Sequence, residues 1–186
     1  MDMIRAFIAI ELPDEAKRIL HNSAKNFLKP IKDNVKIVDI SQLHITLFFF
    51  EHVQKDKLEE IKELLDKLDM QSFKISLKSF NTFDGKNLRI IFADIENTDN
   101  INKIYNYLLP TASKLNADIK KVYKPHITLA RVKYIDYDNR NKFLSIIKEK
   151  QTFEFGTFTC SAIKIIESRL KSGKPEYIEL YRKNLN

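Results

Sequence analysis

The chain contains no tryptophan, one cysteine, three glycines and five prolines. Each scarcity excludes something. Cys160 alone can form neither an internal disulfide nor a thiolate metal cluster, so a reducing compartment and a cytoplasmic protein are expected. No motif accompanies it as a nucleophile. No Gly-, Ser- or Pro-rich stretch interrupts the chain as a linker would. Long hydrophobic runs are also missing: the apolar stretch 47–50 is far shorter than the roughly 20 residues of a membrane span. The opening segment carries Asp2, Arg5 and Glu11 around the short patch Phe7–Ile10, too brief and too acidic for a secretory signal.

What is present suits one compact domain spanning 1–186, since 186 residues at 44% hydrophobic content can bury a sizeable core. The net charge of +7 and pI near 9.3 favour a polyanionic partner, because lysines and arginines that neutralise phosphates release counterions. Part of that charge is ordinary helix surface, as where Lys62 and Lys67 alternate with Glu59, Glu60 and Glu63.

Apolar periodicity divides the chain into two similar halves. A strand over Arg5–Leu12 leads through Pro13 into a helix with Ala16, Ile19, Leu20, Ala24, Phe27 and Leu28 on one face. A short strand near Val35–Val38, the segment around His44, a helix with Leu58, Ile61, Leu64, Leu65 and Leu68, and a strand Phe73–Phe80 follow. The order then recurs. A strand Arg89–Glu96, a helix from Ile101 to Leu115, the segment around His126, a helix near Phe143–Ile147 and a strand from Phe153 repeat it. The landmarks Arg5/Arg89, His44/His126 and Phe73/Phe153 lie 84, 82 and 80 residues apart, which indicates an internal duplication with units of approximately 1–84 and 85–168. Asp84-Gly85-Lys86-Asn87 reads as a tight turn between adjacent strands, and 163–182 as a closing hairpin around Gly173-Lys174-Pro175. The expected class is α+β: two pseudo-symmetric lobes of mostly antiparallel sheet, helices outside, and a central cleft.

At matching points of the duplication stand His44-Ile45-Thr46-Leu47 and His126-Ile127-Thr128-Leu129. Strand alternation separates a polar pair, His and Thr, from a core pair, Ile and Leu. A pseudo-twofold would bring both polar pairs to one cleft. Cleaving a phosphodiester needs a base for the attacking oxygen and an acid for the departing one, on opposite sides of phosphorus. Imidazole, with an unperturbed pKa of about 6.5, can supply both. The threonine hydroxyls can donate to the non-bridging oxygens. The scheme calls for no metal, and no ligand spacing suggests one. Nor does the symmetry say which histidine is acid. His21, mid-helix, and His52, at a strand-to-helix turn, read as surface residues.

These motifs make the chain resemble the two-histidine phosphoesterases, in particular the RNA 2′,3′-cyclic phosphodiesterases also called 2′-5′ RNA ligases. The likeness extends through Arg5-Ala6-Phe7-Ile8-Ala9-Ile10, Leu43 before the first motif, Pro125 before the second, Ala130-Arg131 after it, and Ser168-Arg169-Leu170 with Gly173 and Tyr177. It implies hydrolysis of a 2′,3′-cyclic phosphate at an RNA end to a 2′-phosphate, with His44 as proton donor and His126 as proton acceptor, without a cofactor. It also implies reversible 2′-5′ ligation, and a monomer acting on RNA ends such as tRNA fragments. Arg131 matches a phosphate-contacting arginine, although strict alternation puts it opposite His126 unless the strand ends or bulges after Leu129. Arg5 could also reach the cleft. With tryptophan absent, base stacking falls to Phe48, Phe50, Tyr123 or Tyr134. The alternatives are a two-histidine enzyme for small cyclic nucleotides or 2′-5′ oligonucleotides, and a non-catalytic RNA-binding module.

Overall fold

The computed structural model describes residues 2–83, 88–171 and 174–186. The expected turn Asp84-Gly85-Lys86-Asn87 and the Gly173 of the closing hairpin therefore lie outside the described residues. In chain order the strands are β1 (Met3–Glu11), β2 (Val35–Ile37), β3 (His44–Gln54), β4 (Phe73–Thr82), β5 (Ile90–Ile95), β6 (His126–Val132), β7 (Glu154–Cys160), β8 (Ala162–Lys171) and β9 (Lys174–Asn184). The helices are α1 (Asp14–Phe27), α2 (Leu58–Lys67), α3 (Asp99–Lys114) and α4 (Tyr137–Lys150). Each is placed by local chemistry. Helix α1 starts after Pro13, carries Asp14 and Glu15 in its first turn and Lys25 in its last, and buries Ala16, Leu20 and Ala24. Helix α4 is capped by the Asp136 carboxylate, which accepts from the Asn139 N–H at 2.7 Å.

Two antiparallel sheets result, one ordered β3-β1-β8-β9 and the other β2-β6-β5-β4-β7. The class is α+β, as expected. Each sheet draws strands from both halves of the sequence. β4, from the first half, pairs with β5 and β7, while β8, from the second, inserts beside β1. The positional counterpart of β4 is consequently β8, each lying next to the leading strand of the other half, β5 or β1, and not the strand beginning near Phe153. That segment, β7, lies at a sheet edge and pairs with β4 alone. A continuous apolar core, from Ile8 and Ile45 on one sheet to Ile91 and Ile127 on the other, fills the space beneath the helices. A small second cluster, Phe7, Ala9 and Ile166 with Phe49 and Tyr177, lies on the opposite face of the first sheet. No helix among the described residues is long and apolar enough to cross a membrane.

Candidate active site

The two tetrapeptides open β3 and β6, and both show the same burial: His and Thr partly exposed, Ile and Leu in the core. Both strands then bulge at one point. Against β1 the register steps from Thr46↔Ala9 to Phe48↔Ile8, leaving Leu47 without a partner. Against β5 it steps from Thr128↔Phe92 to Ala130↔Ile91, leaving Leu129 without one. One extra residue shifts the alternation by one position. Leu47 and Phe48 are therefore both core residues, and so are Leu129 and Ala130. Phe49 and Arg131 come round to the face of the histidines, which is how an odd offset from His126 still delivers Arg131 to the pocket.

Each imidazole is oriented by the carbonyl two residues before it. His44 Nδ1 lies 2.7 Å from the Gln42 carbonyl, and His126 Nδ1 2.8 Å from that of Lys124. A carbonyl only accepts, so both neutral rings carry their proton on Nδ1 and leave Nε2 as the working nitrogen. Nε2 of His44 meets the Thr46 hydroxyl at 2.9 Å. Gln42 is itself tied down, its side-chain amide donating to the Pro175 carbonyl on β9 at 2.7 Å. The His44 ring stacks on Phe7 (4.7 Å, 23°) with the Tyr177 ring edge-on beside both. Burial pushes the His44 pKa down to about 4; the Gln42 carbonyl opposes this, while His126, Arg131 and Lys17 reinforce it.

His126 sits between the edges of Phe83 (4.7 Å) and Phe92 (5.3 Å). Its cross-strand partner is Asp94, which binds the Lys124 ammonium at 2.9 Å and accepts from the Asn81 amide at 3.0 Å. Burial again lowers the imidazole pKa. The Lys124 carbonyl and Asp94 act upward, and the Lys124 cation downward. A pocket of about 130 Å³ is lined by Gln42, His44, Thr46, Phe49, Thr128, Arg131, Ser168 and Tyr177 among others. An adjoining cavity shares Thr46, Phe49, Thr128 and Arg131 and adds His126, Phe83, Tyr123 and Lys124. Both His-x-Thr pairs and Arg131 thus line one continuous cleft. Two partly buried imidazoles in such a cleft can exchange protons with an anion that the guanidinium holds. Among the described residues no group of three or more His, Cys, Asp or Glu side chains is placed to share a metal ion.

The chain matches the family model described as the AKAP7 2'5' RNA ligase-like domain over residues 7–179. It is 33% identical to a protein of Methanocaldococcus jannaschii named RNA 2',3'-cyclic phosphodiesterase, over 94% of this chain and 96% of that one. A protein of the same name from Methanothermobacter thermautotrophicus is 30% identical over 95% and 96%. The chain is a two-histidine phosphoesterase of the 2′-5′ RNA ligase-like family. Its fold is that of the solved E. coli LigT in apo form, with a TM-score of 0.80 at 19% identity over 100% of this chain and 99% of that one.

As a two-histidine phosphoesterase it holds His44, Thr46, His126, Thr128 and Arg131 around one cleft, which Tyr123 also lines, whereas the other sequence candidates fall elsewhere. Phe48 and Phe50 are buried, at 1% and 0% exposure, because the bulge turns the first inward and alternation the second. Tyr123, in the loop before β6, stacks on Tyr105 at 4.0 Å and donates to the Thr46 carbonyl at 3.0 Å, tying that loop to α3 and β3. Arg5 lies over the Phe49 ring and reaches toward Glu51. His52 falls within β3, exposed, not at a turn. His21 is half-buried, its Nδ1 3.1 Å from the Val38 carbonyl. The cleft is also lined by residues that sequence reasoning did not assign to it, Phe7, Gln42, Phe49 and Phe83, and Asp94 lies across the strand from His126. The apolar doublets Leu47-Phe48 and Leu129-Ala130, out of step with alternation, are the signal that could have revealed Phe49.

Proposed function

We propose that the protein hydrolyses the 2′,3′-cyclic phosphate at an RNA end to a 2′-phosphate. The observation carrying this reading is that both histidines share one cleft, each with Nδ1 bound to a carbonyl and Nε2 left for chemistry. His126 accepts a proton from water as the water oxygen bonds to phosphorus; the bond from phosphorus to the 3′ oxygen breaks, and His44 supplies that oxygen's proton. The assignment of acid and base follows the family. Thr46, Thr128 and Arg131 hold the non-bridging oxygens, where charge must be stabilised. The names of the curated relatives support the substrate. Although both imidazoles are depressed in the free site, an anionic phosphate beside His44 favours its charged form, so substrate binding itself helps load the acid. With an RNA 5′-hydroxyl in place of water as the nucleophile, the same steps join a 2′,3′-cyclic phosphate end to that 5′ end through a 2′-5′ linkage, the phosphorus bond to the 3′ oxygen breaking as before; the reverse cleaves the linkage. We further infer a monomer acting in the cytoplasm on RNA ends such as those of tRNA fragments.

The test is turnover of an RNA ending in a 2′,3′-cyclic phosphate, with identification of the product end. A 2′-phosphate is expected, and His44→Ala and His126→Ala should each lose at least about 100-fold, the low end for a general acid or base. Unchanged turnover in both variants, or activity confined to small cyclic nucleotides, would overturn the reading.

A further inference from the structure

Arg131 lines a second hollow besides the cleft. This groove, of about 620 Å³, runs from Arg131 past Arg89 and Ile90 to Lys133, Tyr134 and Arg140. Arg89, Arg131 and Lys133 are exposed, and among the described residues none of the three is in an ion pair. Many of the chain's other cations are neutralised: Lys62 by Glu59, Lys114 by Glu60, Lys164 and Arg182 by Glu11. No acidic residue among the described residues lines the groove. Three cations without an ion-pair partner among the described residues thus lie together along one path leading away from the cleft.

Tyr134 adds a different signal. It is 70% exposed, yet its backbone is fixed, since the Asn34 amide donates to the Tyr134 carbonyl at 3.0 Å and the Lys133 N–H to the Asn34 carbonyl at 2.8 Å. Of the four aromatics expected from the sequence to stack on bases, it alone presents a bare ring. An exposed ring on an anchored backbone, among unpaired cations, suits single-stranded nucleic acid, whose phosphates take the cations and whose bases take the ring.

We propose that the RNA strand leading to the reactive end lies in this groove, with a base on Tyr134 and phosphates at Arg89 and Lys133. The substrate is then an oligoribonucleotide and not a free nucleoside cyclic phosphate. This rests on the proposed phosphodiesterase reading and deepens it.

The test compares kcat/KM for an RNA of about six nucleotides ending in a 2′,3′-cyclic phosphate with that for a nucleoside 2′,3′-cyclic monophosphate of the same terminal base. Tyr134→Ser should lower the RNA value by about fivefold or more, the low end for one base–ring stack, and leave the mononucleotide value unchanged. The double variant Arg89→Ser/Lys133→Ser should do likewise and flatten the salt dependence of RNA binding by about two in slope. Equal losses on both substrates, or no loss on RNA, would overturn the groove. If the wild type turned over neither substrate, the phosphodiesterase reading would fall separately. Binding of the same RNA bearing a terminal 2′-phosphate, followed by fluorescence anisotropy, would still judge the groove: equal affinity of wild type and variants refutes it.

Discussion

His44 is held in a place that resists its charge, and this has a cost in acid. A histidine whose folded pKa lies below its unfolded one takes up its proton more readily in the unfolded chain. With the folded value near 4 against an ordinary 6.5, stability should fall as pH drops from about 6.5 toward 4. Urea denaturation across that range should show the decline, and His44→Asn should flatten it. His126 has its own adjustment in the Asp94–Lys124 pair. Asp94→Asn leaves the Lys124 cation unopposed and should lower the imidazole pKa further, whereas Lys124→Met should raise it. Imidazole proton shifts followed by NMR against pH would show the two variants moving in opposite directions; movement in the same direction would remove Asp94 and Lys124 from this role.

The bulges are what make the strands into a site, and the second sheet uses the same device again in β4 and β7. There Gly156 adopts φ +120°, and a Cβ would meet the Phe158 ring at 3.1 Å. Phe158 is buried, and the φ itself strains any residue with a Cβ. Gly156→Ala should therefore cost about 1–3 kcal/mol in chemical denaturation, while leaving any turnover by the intact protein unchanged. At this scale the sequence was informative where periodicity was regular. α1, α2 and α3 were readable from apolar spacing, and both histidine motifs from their repetition. Phe49 was hidden because a bulge breaks the alternation on which face assignments depend. Asp94 and Gln42 were hidden for another reason: their parts depend on partners, Lys124 and Pro175, that only the folded register brings near.

For the whole molecule, the exchange of β4 and β8 matters most. A chain divided within 84–87 yields a first piece whose β2 and β4 lack β5, β6 and β7, and a second whose β8 lacks β1. Unpaired strand edges of that kind aggregate. Each piece made alone should be insoluble, and the two made together should recover a soluble complex, as a pull-down through a tag on one piece would show; a stable, monomeric first piece would contradict this. The same exchange governs assembly during synthesis. β1 and β3 are available early, but β8 and β9, which bring Tyr177 to His44 and Pro175 to Gln42, are translated after both histidine motifs. A product truncated before β8 would carry both histidines, yet without the ring and the carbonyl that seat the first of them. Chemical competence is in this sense withheld until β8 and β9 have been made, so copies terminated before them would be silent toward RNA rather than poorly selective.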